Sequence, residues 1–283
     1  MRDVLIILLI VLVTIFSGCD KNQKNAGENS KSASHLASAD AQAGRLVIRF
    51  EQQVDGHSLE TDTLLYVNAA GNLYEISEIQ WFASDLTLHN NDGSSVVLDP
   101  NHSSHYIDTD IPKSIVWEIR QPVPAGHYDA ISFTFGIKGE KNKPYMFTDP
   151  PESDMLWPIN LGGEQGGYHY MKMNGFWVDN KNDRTPFNFH LGVGQQHDEK
   201  GKIIGFIQNW FETILKDSEF NIEAGEKKEI TIIMNIGNWF QNPYVYNHNL
   251  HGGKIMQNQK AMNMGKENGE KDVFILGGVK DIN

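Results

Sequence analysis

From Arg45 onward, apolar and polar residues alternate with a period of two through much of the chain. Leu46, Ile48 and Phe50 form one such run, and Ile115, Trp117 and Ile119 another. Ile131, Phe133, Phe135 and Ile137 alternate most cleanly, and Ile230, Ile232, Met234 and Ile236 repeat the pattern. Successive side chains of an extended strand point to opposite faces, so each run presents one apolar and one polar face. Thr63 to Val67 is a further β-rich run, as is Glu78 to His89 with Ile79, Trp81, Leu86 and Leu88. Turn signals separate these runs at Asn91-Asp92-Gly93, Pro124-Ala125-Gly126 and Glu223-Ala224-Gly225. A single helix is expected, from Lys254 to Lys266. Many short half-buried strands predict an all-β fold over residues 45–283: an antiparallel β-sandwich with long loops and one short C-terminal helix. No internal repeat is visible.

The segment before Arg45 has a different character. Arg2 precedes an apolar run from Val4 to Phe16, followed by Ser17, Gly18 and Cys19. A positive start, a short apolar stretch and small residues at its end read as an export signal over residues 1–18, too short to span a bilayer comfortably. Phe16-Ser17-Gly18-Cys19 resembles the bacterial lipobox, in which cleavage precedes the cysteine and the thiol is lipidated. The competing reading is an uncleaved anchor helix. Residues 19–44 are rich in Asn, Lys, Ser, Ala, Gly and Gln without an apolar period, which suits a flexible tether. The expectation is a lipid-anchored protein of the bacterial cell envelope, facing the periplasm or the cell surface.

Composition narrows the partners. The 283 residues carry a formal charge of −12 and are 40% hydrophobic, enough for a real core. Phosphate backbones are held by clustered Lys and Arg, and no long basic run exists here, so nucleic acid is not an expected partner. Cys19 is the one cysteine, so the chain has neither an internal disulfide nor a cysteine-based zinc site.

Candidate chemistry concentrates between Met155 and Gly192. His169, Met171 and Met173 fall at alternate positions of an expected strand and would share a face. Imidazole with thioether suits copper, especially Cu(I); the same methionines also read as core fillers beside a hydrogen-bonded histidine. His190 shares the polar face of its strand with Asn188, where it could ligate a metal or bond to a neighbouring strand. His248 and His251 form a His-x-x-His pair ahead of Met256, Met262 and Met264; a helix there would instead bury Ile255 and Met262 as its stripe. His102 and His105, with Asp99 and Asp108, make a candidate loop site or an ordinary surface loop. Loop acids at Glu140 and from Asp149 to Asp154 are calcium candidates without the spacing of an EF-hand loop. The signature motifs of serine hydrolases, zinc proteases and P-loop enzymes are absent, so binding rather than turnover is expected. An alternative class, a glycan- or peptide-binding surface module, rests on Trp157, Tyr168, Tyr170, Trp177, Trp239 and Phe240 as a platform; the same aromatics also read as buried between the sheets. A structural lipoprotein without a small ligand is a third reading.

Several stretches together resemble the MbnP-like family, the copper-binding partners of methanobactin systems and their relatives, in the form found in Bacteroidota lipoproteins. They are Ile79 to Leu88, Val123 to Tyr128 with Phe133 to Ile137, Met155-Leu156-Trp157, Gly167 to Gly175, and Phe189-His190-Leu191-Gly192. They follow the family's order between Leu46 and Asn258. The resemblance implies an exported β-sandwich with a copper site held by histidines. In some members it also implies a kynurenine made from a tryptophan by a dihaem-peroxidase-like partner, for which Trp157 is the choice here. The chain lacks the cysteines of the four-cysteine branch, has Trp157-Pro158-Ile159 in place of a Trp-x-Trp element, and carries Gln52 where many relatives have histidine. His190 keeps the motif match. His169 is the expected second ligand, with His105, His248 and His251 as candidate third donors.

Overall fold

The computed structural model describes residues 42–256 and 258–283. The expected signal, Cys19 and most of the tether lie outside the described residues. Nine strands carry the architecture: β1 (Ala43–Val54), β2 (Leu73–His89), β3 (Ser104–Asp108), β4 (Ala130–Phe135), β5 (Met171–Val178), β6 (Arg184–Leu191), β7 (Phe211–Ile214), β8 (Lys227–Asn235) and β9 (Phe274–Asp281). One sheet runs β9-β8-β1, and Val116–Glu118 and Val123–Pro124 also pair with β1. The other runs β6-β5-β2-β4-β7, with β3 added to β2. The fold is an all-β sandwich. One pairing departs from the antiparallel rule: β1 lies parallel to β8, with Ile48 opposite Ile230 and Phe50 opposite Ile232. Glu229 of β8 clamps this sheet across three strands, accepting from Arg49 of β1 at 2.9 Å and Lys280 of β9 at 2.8 Å.

β2 is the spine of the second sheet. Its 17 residues pair with β5 from Tyr74 to Trp81 and with β4 from Ala83 to His89. The period-two residues do what their spacing implies. Leu46, Ile48 and Phe50 of β1 and Ile230, Ile232 and Met234 of β8 face Trp81, Phe133, Phe135 and Phe189 in one inter-sheet core. Phe50 meets Trp81 edge to face at 5.1 Å, and Trp81 meets Phe274 at 5.3 Å. Such aromatic contacts join the two layers with large buried areas.

Three expectations are corrected. Thr63 to Val67 yields only a two-residue strand, Tyr66–Val67, because Leu64 and Leu65 turn outward into solvent. The helix begins later than expected, at α3 (Gln259–Asn268), where the Asn258 side chain accepts from the Ala261 N–H as an N-cap. Two single turns, α1 (Ile159–Gly162) and α2 (His248–His251), precede it. Of the two readings of the aromatics, the platform is the one corrected: Trp157, Tyr168, Tyr170, Trp177, Trp239 and Phe240 are all buried. Only Trp177 lies in a strand, and Trp239 and Phe240 are neighbours in the turn Ile236–Phe240; large rings gain most by leaving water, so all six fill the core rather than display a flat surface.

Trp81 touches rings from both sheets, so truncation should leave a cavity that neither layer can close. Trp81→Ala is expected to lower unfolding stability by about 3–5 kcal/mol in urea titrations, with the β-sheet circular dichroism retained. A loss below about 1 kcal/mol would contradict this packing.

Candidate metal centre

The register of β5 on β6 decides where His190 lies. Met171 opposes Leu191, Lys172 opposes His190 and Met173 opposes Phe189. Met171, Met173, Phe189 and Leu191 therefore enter the core, while Lys172, Asn174, Asn188 and His190 share the other face. His169 comes before β5 and does not continue its alternation. The chain bends at Tyr170, whose N–H donates to the Leu191 carbonyl at 2.8 Å and whose own carbonyl accepts from the Phe82 N–H at 3.0 Å. Tyr170 and Met171 are consecutive core residues as a result. The expected stripe of His169, Met171 and Met173 does not exist; the bend releases His169 to meet His190, ring centroids 5.3 Å apart and nearly perpendicular.

Both imidazoles are buried. His169 Nδ1 lies 2.9 Å from the Met155 carbonyl oxygen, which can only accept, so Nδ1 carries the proton and Nε2 keeps its lone pair. His190 Nδ1 is buried without a hydrogen-bond partner. Burial, reinforced by His190, pulls the His169 imidazole down to about 3 despite the Met155 carbonyl. Burial and then Lys172 bring His190 down to about 4. At neutral pH both rings are neutral, the state in which imidazole binds a metal.

Trp157 stands beside the pair, 4.6 Å from His169 at 65°. Its indole is buried in a cradle of glycines, and Nε1 has no partner. A Cβ on Gly162 would come within 2.7 Å of the indole Cδ1, and one on Gly192 would overlap the six-membered ring. Gly162, Gly166 and Gly192 are contact surfaces for this one side chain.

The other candidate histidines have different surroundings. His105 lies in β3, not in a loop; its ring is stacked on Trp117 at 5.3 Å and 4°, and its Nε2 meets the Ser114 carbonyl at 2.7 Å. Of its candidate partners, Asp99 accepts from the Arg120 and Gln121 N–H groups at 2.7 Å each, and Asp108 accepts from the Tyr106 hydroxyl at 2.6 Å. His248 sits among Trp177, Phe187, Phe240 and Tyr246, with centroids 4.7–5.4 Å away, and neither of its ring nitrogens has a partner. His251 packs on Tyr246 at 5.0 Å. The structure thus gathers His169 and His190 and leaves these three elsewhere. Of the loop acids, Glu140 pairs with Lys143 at 3.4 Å. Three other carboxylates, Glu78, Asp108 and Asp110, come within 4.8 Å of one another. Asp108 and Asp110 are near neighbours in sequence, and the pairing of β2 with β3 brings Glu78 to them.

Three buried neutral histidines make stability depend on acid. Below pH 6.5 an unfolded histidine takes a proton that folded His169, His190 and His248 refuse until about 3, 4 and 3. The unfolded state then binds more protons, so stability is intact above pH 7 and falls as pH drops from 6.5 towards 4. Each group contributes a slope of about 1.4 kcal/mol per pH unit in that window. Urea midpoints should fall between about pH 7.5 and 5, and His248→Phe should flatten the fall. Midpoints independent of pH across that range would contradict the burial of neutral rings.

The sequence matches the MbnP family model over residues 43–260. No curated protein matches it. Among solved structures, MbnP from Methylosinus trichosporium matches with a TM-score of 0.52 at 11% identity, covering 85% of this chain and 99% of that one. That likeness is one of fold. The family match takes in every strand from β1 to β8 and both histidines of the pair, and the chain belongs to the MbnP family.

Proposed function

We propose that the protein binds a soft metal ion, copper(I) foremost, between His169 and His190, and that it stores, senses or hands over that ion rather than catalysing a reaction. The observation that carries the reading is the buried, partnerless Nδ1 of His190 beside a second neutral imidazole 5.3 Å away. A buried nitrogen without a hydrogen bond costs about 1–3 kcal/mol. A metal would satisfy it with a stronger bond. Two neutral imidazoles suit a late first-row ion, and a low-coordinate pair suits copper(I) in particular. When bound, the ion would supply a Lewis-acid and one-electron redox centre. The chain itself supplies orientation, through the Met155 carbonyl, and exclusion of water, through burial of both rings.

The wider reading follows from the same chain. Lipidation at Cys19 would tether the domain to a membrane of the cell envelope, facing the periplasm or the surface. Trp157 is the tryptophan packed against the pair, so it is the residue on which a dihaem partner enzyme would act. The platform reading for glycan or peptide loses its support, since its six aromatics are buried.

The test is anaerobic loading with Cu(I), desalting, and challenge with a competing chelator, with the intact mass recorded alongside. Near-stoichiometric retention is expected. His169→Ala and His190→Ala should each lose it, while His248→Phe should keep it. No retained copper, in protein made with or without a dihaem enzyme, would overturn the reading.

A further inference from the structure

The face of the second sheet that carries His190 also carries a short chain of amides and a carboxylate. His190 Nε2 lies 2.8 Å from Asn174 Oδ1. Asn188 Nδ2 donates to the same oxygen at 3.0 Å. The Asn174 Nδ2 group donates the other way, to Glu78 Oε2 at 3.4 Å. These contacts span β6, β5 and β2 and follow from register: Asn174 opposes Asn188 on one side and Glu78 on the other.

The polarity of this chain is determined. Burial, and then Asp108, raise the Glu78 carboxyl above its ordinary value; in its ionised form it only accepts, so the Asn174 amide turns its NH2 to Glu78 and its oxygen to β6. That oxygen in turn only accepts, so His190 must place its proton on Nε2. The remaining nitrogen, Nδ1, is the one found buried and unpartnered. His169 has the opposite arrangement, with Nδ1 protonated against the Met155 carbonyl and Nε2 free.

We propose that Asn174 is a positioning residue that fixes the Nε2–H tautomer of His190, so that the pair binds metal through unlike nitrogens, Nε2 of His169 and Nδ1 of His190. This rests on the metal reading above. Asn174 touches no metal in this scheme; it acts through the imidazole. Outer hydrogen bonds of this kind set ring orientation and ligand basicity, and losing one typically weakens metal binding 10- to 100-fold. Glu78 and Asn188 hold the amide against flipping.

The test separates the hydrogen-bond assignment from the metal. Long-range 1H–15N correlation spectra of metal-free protein labelled with 15N-histidine read the tautomer of each ring directly and need no variant. His190 is expected to show Nε2–H with a lone-pair Nδ1, and His169 the reverse. Ag(I), a diamagnetic probe for Cu(I), should then show silver–nitrogen coupling at Nδ1 of His190 and Nε2 of His169. Asn174→Ala should mix the His190 tautomers and weaken Ag(I) binding 10- to 100-fold. An Nδ1–H tautomer at His190 in the parent protein would overturn the proposal. So would unchanged Ag(I) affinity in Asn174→Ala. Parent protein with the stated tautomers that takes up no silver would bring down the metal reading, and with it the role of Asn174, while the tautomer assignment stood.

Discussion

The pairing of β5 with β6 is the constraint on which the molecule depends. With Met171 opposite Leu191 and Met173 opposite Phe189, four large apolar side chains enter the core together. A slip of one residue would exchange the slipped strand's pair for Lys172 and Asn174, or for Asn188 and His190. The penalty for burying that polar set makes the register unambiguous. The same register presents His190 on the far face and aligns the amides that orient it. Core packing and site geometry are thus one specification, read on two sides of the same strands.

The site works against the stability of the sandwich. A buried imidazole nitrogen with no partner is unfavourable, and two neutral rings kept from protonation add a further demand at low pH. The aromatic core around Trp81, Phe133 and Phe274 offsets this. Backbone and side-chain partners hold one nitrogen of each ring, Met155 for His169 and Asn174 for His190, so that only the outward-bonding nitrogen of each is left unmatched. Distributing the satisfied and unsatisfied atoms in this way keeps the rings in place without filling the positions a ligand would take.

Much of the fold was legible in the sequence, and for a clear reason. Period two is a local signal, so the strands at Leu46, Ile131 and Ile230 were readable residue by residue, as was the polar face that carries His190. What depends on pairing between distant segments was not. The parallel contact of β1 with β8, the chain from Glu78 through Asn174 to His190, and the cluster of Glu78, Asp108 and Asp110 exist only through register. The stripe of His169 with Met171 and Met173 failed because alternation was extended across the bend at Tyr170, whose cause lies in Phe82 and Leu191. Trp157 and Trp239 could be placed neither inside nor outside by composition alone, since a large ring suits either a core or an exposed platform.

The parallel pair at the heart of the first sheet also governs when the molecule can become a molecule. Arg49 and Glu229 are 180 residues apart in sequence, yet they stand side by side. The first long strand therefore waits for its main neighbour until most of the chain has been made. Contacts of such long range slow folding, because loop closure must precede the gain from pairing. In the interval β1 exposes an unpaired apolar edge of the kind that invites association with other chains. For this protein, the hazard of aggregation belongs to its synthesis, and it ends when β8 arrives.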